Sequence, residues 1–153
     1  MQLVMETQTS LSPEQTVRAL TDFSDRRPAM WTNVSPEHYQ VFSVGETSAD
    51  VREGTKRGPM DVWAREQYDW STPNTVTWTV KESNFCTPGS YVRAEIRPRP
   101  GGGSIIRSTW NRTPTSMSGR FLFAVMKLSR GKAIENSMRA GLSNYEREAD
   151  AAP

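Results

Sequence analysis

Glu66 and Tyr68 are the side chains best placed to do chemistry. They lie two apart in 60–70, where Met60, Val62, Ala64, Glu66, Tyr68 and Trp70 alternate with Asp61, Trp63, Arg65, Gln67 and Asp69. Such alternation marks a half-buried strand, and the first set is the apolar one. A carboxylate in the middle of that face loses water, and its pKa rises toward that of a useful general acid or base. Tyr68 stands beside it as a partner in proton transfer. The competing reading is structural. Charged side chains are seldom buried unpaired, so Glu66 either meets Arg65, Arg93 or another arginine, or sits at a cavity mouth. Glu53 and Glu82 also have inward parity, but near strand ends, and they read as solvated rim positions.

Other chemistries are narrowed by what the chain lacks. His38 is the only histidine and Cys86 the only cysteine. A multi-histidine metal site, a CxxC motif and an internal disulfide are therefore excluded. A Ser-His-Asp or Cys-His arrangement would require His38 as the base. His38 precedes a strand and reads as a surface residue, and Cys86 reads as an incidental loop thiol. No metal and no cofactor are expected.

Positioning Glu66 and Tyr68 takes a sheet and something to cover it. Strand patterns recur at 2–9, 38–44, 48–54, 60–70, 75–82, 90–97 and 104–111, separated by Gly and Pro turn signals. Connections this short join antiparallel neighbours. The inward sets are Val76, Trp78 and Val80, then Val92, Ala94 and Ile96, then Ile106, Ser108 and Trp110, and one bulge would reverse any of them. Ser12-Pro13-Glu14-Gln15 carries a capping box with Pro at the first helical position. It opens a short helix ending near Phe23, and a short helical turn or structured loop around Trp31 follows. From 117 to 149 no proline intervenes, and Leu128, Gly131, Ile134, Met138, Leu142 and Tyr145 form one apolar line with steps of 3, 3, 4, 4 and 3. That is the stripe of a helix buried along one side. The fold class is α+β, with helices on one face of an antiparallel sheet.

A sheet curved around a helix tends to leave a pocket. Its candidate lining is Ala64, Trp70, Trp78, Val92, Ala94, Ser108, Trp110, Gly131, Ile134 and Met138, where small residues face one another and leave volume. The alternative is that the small residues accommodate the tryptophans in a dense core, and that Gly131 marks a kink or a close helix–sheet contact.

Composition sets the remaining bounds. The chain has 153 residues, 35% hydrophobic and 24% charged, with a net charge of +2 and both signs interleaved, so no nucleic-acid partner is implied. Arg26-Arg27 and the other basic pairs fall in loops and read as solubility determinants. No window approaches the ~18 apolar residues of a membrane span, and the first residues carry no basic n-region. The expectations are one domain over 1–150 with a frayed tail at 151–153, a cytoplasmic location, and a monomer or weak homodimer.

Several segments taken in order resemble one superfamily. They are Ser12 to Phe23 with the Pro/Trp loop through Trp31, Tyr68-Asp69-Trp70 leading into Val76 to Val80, the Gly101-Gly102-Gly103-Ser104 turn before Trp110, and Met138 to Tyr145 in the terminal helix. Across nearly its whole length the chain is similar to the SRPBCC (START-like, Bet v 1-like) superfamily, in particular its bacterial polyketide cyclase/dehydrase-type members. The resemblance implies a helix-grip fold: a seven-stranded antiparallel sheet wrapped around a long C-terminal helix, with two short helices after the first strand and an elongated hydrophobic cavity. It implies a small apolar partner of lipid, polyketide or aromatic type, and it transfers no catalytic residue.

Three functions follow in order: a binder of such a molecule, a cyclase/dehydrase-type enzyme using Glu66 and Tyr68, and a regulatory interaction module using Trp63, Arg65 and Arg107 on the outer sheet face.

Overall fold

The alternating segments assemble into one seven-stranded antiparallel sheet in a computed structural model that describes residues 1–152. In chain order the elements are β1 (Gln2–Thr9), α1 (Pro13–Leu20), α2 (Arg27–Met30), a 3-10 turn at Pro36–His38, β2 (Gln40–Val44), β3 (Ser48–Arg57), β4 (Met60–Asp69), β5 (Thr75–Ser83), β6 (Tyr91–Pro98), β7 (Ser104–Asn111), α3 (Met117–Leu128) and α4 (Lys132–Ala151). The strand order is β1-β7-β6-β5-β4-β3-β2. The meander from β2 to β7 follows from the short turns. The first strand joins it at the far edge, pairing Gln2 with Asn111 through Thr9 with Ser104.

The inward sets hold. Val62, Ala64, Glu66, Tyr68, Val76, Val80, Val92, Ala94, Ile96, Ile106, Ser108 and Trp110 are all buried. Two details differ from the sequence reading. β3 runs past Gly54 to Arg57, because Gly58 at φ 58° lets the hairpin close tightly onto Met60. Between β4 and β5 the register shifts: Arg65 faces Glu82 but Glu66 faces Val80. The extra residue on β5 reverses parity beyond it, so Glu82 points outward into solvent.

At the start of α1 the Ser12 hydroxyl accepts from the Gln15 N–H at 3.1 Å, and the Gln15 side chain accepts from the Ser12 N–H at 2.8 Å. At the other end of the chain the uninterrupted helix expected over 117–149 is two helices. The Arg130 N–H reaches the Lys127 carbonyl (3.1 Å) and the Gly131 N–H reaches the Met126 carbonyl (2.9 Å), with Arg130 and Gly131 both left-handed. This is a Schellman ending whose left-handed C′ position is taken by Arg130, with Gly131 next to it. Leu128, the first residue of the presumed stripe, consequently lies on α3 and is 85% exposed. Leu142 and Tyr145 on α4 are buried as the stripe requires. Helical structure continues to Ala151, through part of the tail expected to fray; Pro153 lies outside the described residues.

The core divides into two clusters. One gathers Leu20, Trp31, Val51, Val76, Ile106 and Leu142 where α1, α2 and α4 meet the sheet. The other gathers Met5, Val62, Val92, Phe85, Trp110 and Phe123 beneath α3. No described helix is long and apolar enough to cross a membrane.

Candidate functional site

Between the two clusters the inner sheet face and the paired helices form a cavity of about 600 Å³ that opens to solvent past the exposed Thr32, Asn33 and Arg57. The sheet contributes Ala64, Glu66, Tyr68, Trp78, Val92, Ser108 and Trp110. The helices contribute Leu122, Val125 and Met126 from α3, and Ile134 and Met138 from α4. The tryptophans therefore form walls and leave the space open. Trp78 stacks on Tyr68 (centroids 5.4 Å apart, 14° between planes), and Trp110 meets Phe123 edge-on at 4.8 Å. Trp31 closes one side against Gly141, whose missing side chain admits the indole: a Cβ there would lie 2.2 Å from the ring.

Two ion pairs are built into these walls. In the first, Arg27 Nε donates to Glu53 Oε1 at 2.9 Å, and the Tyr68 hydroxyl donates to the same oxygen at 3.0 Å. Arg27 also donates to the Leu20 and Asp22 carbonyls and lies 4.7 Å from the Phe23 ring centroid. In the second, Arg112 donates to Glu66 Oε1 at 2.9 Å, with the Cys86 sulfur 3.7 Å from its other amino group. Glu66 and Arg112 are both buried.

Burial pushes the Glu66 carboxyl above its ordinary range, and nearby Glu53 adds to this, while the Arg112 guanidinium pulls it back down. Burial likewise drives the Tyr68 phenol well above 10, reinforced by the Glu53 carboxylate, so Tyr68 acts as a hydrogen-bond donor and not as a phenolate. Ser108 carries a buried hydroxyl with no protein partner. A buried polar group calls for a partner, and Ser108 lines the cavity.

Among the residues singled out in the sequence, Glu66, Tyr68, Ala64, Trp78, Val92, Ser108, Trp110, Ile134 and Met138 come together around this space. Three do not line it. Trp70 packs against Phe23 at 6.1 Å. Ala94 is fully buried in the α1/α4 cluster. Gly131 sits at the α3–α4 junction, where a Cβ would press on the Met5 sulfur at 3.2 Å. The partner of Glu66 is Arg112, not the nearer-in-sequence Arg65 or Arg93. Arg65 points outward and holds Asp50.

Four sequence readings change. Glu53 is a cavity residue and not a solvated rim position, because α2 brings Arg27 over it. Arg27 is buried and paired, so only its neighbour Arg26 keeps a surface role. His38 is buried, its ring bonded to Asp61. Cys86 is buried beside Arg112 and Ser83. Arg112 was discoverable, since it continues the inward parity of Ile106, Ser108 and Trp110 one step past the strand end. Nothing local marks Arg27. On the outer face Trp63 is covered by Arg52, whose guanidinium lies 4.0 Å from the ring centroid. Among the described residues no cluster of His, Cys, Asp and Glu is arranged to hold a metal ion.

No family model and no curated protein sequence matches the chain. Solved structures do match it in three dimensions. An aromatase/cyclase, Zhui, from Streptomyces sp. R1128 superposes with a TM-score of 0.77 at 12% identity, covering 99% of this chain and 96% of its own. A START superfamily protein from Mycobacterium smegmatis gives 0.66 at 11% identity, covering 90% and 97%. Norcoclaurine synthase from Thalictrum flavum gives 0.68 at 9% identity, covering 99% and 87%. The fold is thus the SRPBCC-type helix grip; at these identities the likeness concerns the fold alone.

Proposed function

We propose that the protein binds a small, largely apolar molecule of lipid, polyketide or aromatic type in the cavity between the sheet and helices α3 and α4. The supporting observation is the cavity itself. Its volume of about 600 Å³ falls within the ~300–1,000 Å³ of small-molecule sites. Its walls carry many aliphatic and aromatic side chains, with polar groups from the sheet (Glu53, Glu66, Ser108), the loop after α2 (Thr32, Asn33) and α4 (Asn136, Ser137). Ser108 offers the one buried hydroxyl there without a protein partner, which suits a ligand carrying at least one carbonyl or hydroxyl. The buried charges in the wall are balanced within two pairs, Arg27–Glu53 and Glu66–Arg112, and Arg57, exposed at the rim, donates to the Thr32 carbonyl. A neutral guest therefore enters without stranding a charge.

Native mass spectrometry of the purified protein, followed by thermal-shift titration with fatty acids, planar aromatics and polyketide mimics, tests this. A retained apolar adduct or a saturable rise in melting temperature is expected, weakened in Ala64→Phe, which places a ring inside the cavity. No adduct and no shift with any of the three classes sinks the reading.

A cyclase/dehydrase-type reaction is the second reading. It is favoured by a buried inward carboxyl whose pKa is raised by burial, Glu66, two residues from Tyr68. In that reaction the cavity folds a reactive chain, Glu66 takes or gives a proton, and the Tyr68 hydroxyl turns from Glu53 to donate to a developing oxyanion. Glu66→Gln and Tyr68→Phe then abolish turnover of a bound substrate while leaving its affinity within a few-fold. Unchanged turnover in both variants removes the catalytic assignment and leaves the binder.

A further inference from the structure

Helix α3 is apolar on two sides. Phe123, with Gly119, faces the Phe85 loop and Trp110 and is buried. On the opposite side Met117, Phe121 and Leu128 stand 78%, 68% and 85% exposed. At 100° per residue these three fall within a narrow stripe along the whole helix, about 18 Å long. Arg120 and Lys127 share one flank of that stripe, and Arg130 follows at its end. Between Glu95 and Glu135 the chain has no acidic residue. Some surface arginines elsewhere are paired with carboxylates, as in Arg97–Glu6 and Arg139–Glu135. Among the described residues Arg120, Lys127 and Arg130 have no such partner. Bulky apolar side chains exposed in a row mark an interaction surface, and a row with cations along one flank and no carboxylate on the helix selects an anionic, apolar partner.

We propose that the outward face of α3 docks onto the surface of a lipid bilayer bearing anionic headgroups. Met117, Phe121 and Leu128 enter the headgroup–acyl boundary, and Arg120, Lys127 and Arg130 meet the phosphates. Interfacial helices combine apolar insertion with basic residues in this way. A second copy of this chain is a poorer occupant. A twofold contact places each patch on itself, which brings the unpaired cations of both copies together with no carboxylate between them. The opposite side of the same helix lines the cavity through Leu122 and Met126, so docking would leave one helix thickness, ~10 Å, between bilayer and cavity. The docking itself does not depend on what the cavity holds.

Cosedimentation of the full chain with vesicles of phosphatidylcholine alone, and of phosphatidylcholine mixed with phosphatidylglycerol, tests the proposal. Partitioning onto the anionic vesicles is expected to exceed that onto the neutral ones by about tenfold or more and to fall as salt is raised. Phe121→Ser with Leu128→Ser should cut it about tenfold, and Arg120→Gln with Lys127→Gln should remove most of the anionic preference. All four side chains are exposed, and melting curves check that the variants remain folded. Should the apolar double variant unfold, Leu128→Ser alone serves, with a smaller loss. Absence of binding to either vesicle, equal binding to both, or undiminished binding by the variants overturns the proposal. So does a vesicle-free dimer that Phe121→Ser dissociates, which gives the face to a second copy, or an acidic protein that binds it while vesicles do not.

Discussion

The two buried ion pairs on the cavity wall differ in what else they hold. Arg27 is a hub: it donates to Glu53, approaches the Tyr68 hydroxyl at 3.4 Å, satisfies two backbone carbonyls and packs on Phe23. Its guanidinium ties the 20–27 segment, α2 and β3 together. Arg112 follows β7 and meets Glu66, with the Cys86 sulfur as the other partner of its guanidinium and the Phe85 and Trp110 ring centroids 5.8 and 5.7 Å away. The first pair is an architectural joint and the second a nearly self-contained pair. Glu66 is therefore the carboxylate that a guest could engage without loosening the fold, and Glu53 is not.

The largest expected effect breaks the joint. Arg27→Met strands Glu53 and two carbonyls, and urea unfolding should show a loss at or above ~3–5 kcal/mol. Adding Glu53→Gln should recover only part, because the carbonyls stay unpaired. Glu66→Ala should cost about 3 kcal/mol by leaving Arg112 charged and buried. Here the double variant with Arg112→Met should return to within ~1 kcal/mol of the parent. Equal recovery in the two double variants would erase the distinction. Gly141→Ala forces Trp31 off α4 at the joint end of the cavity, with an expected loss of ~1–3 kcal/mol and a shift in tryptophan emission.

The smallest effect comes from a charge cluster outside the cavity. Asp50 on the outer face is bonded by Arg65 and Lys81, and the Arg65 hydrogen bonds lead in lowering its pKa from 3.8 to about 2. A depressed carboxylate stabilises the fold above its unfolded pKa and loses that contribution as pH falls through the folded one. The melting-temperature gap between parent and Asp50→Asn should thus be constant above pH ~4 and close by pH ~2. A gap that persists at the acid end would locate the effect in packing and not in charge.

Much of the sheet was legible because its cues are local. Alternation assigned the inward faces of β4, β5, β6 and β7, and the Ser12–Gln15 box opened α1 where expected. The misreadings have physical causes. The period-two rule breaks at a bulge, which sent Glu82 outward. An apolar stripe can be counted across a Schellman ending, which joined Leu128 to a helix it does not belong to. Loop arginines look alike until something covers them, so Arg26 and Arg27 could not be told apart.

By itself the sequence determined the alternating strands, the capped first helix, the buried stripe of α4 and the inward position of Glu66 and Tyr68. These depend on periods of two and 3.6 residues, which each segment carries alone. Only the tertiary structure decided that Arg112 and Arg27 answer the inward carboxylates, that Trp31 seats on Gly141, and that space survives between the tryptophans. Those outcomes depend on contacts between segments as far apart as Glu66 and Arg112 and Trp31 and Gly141. Which arginine neutralises a buried carboxylate is settled by where chain packing leaves a charge without water, and no local pattern encodes that.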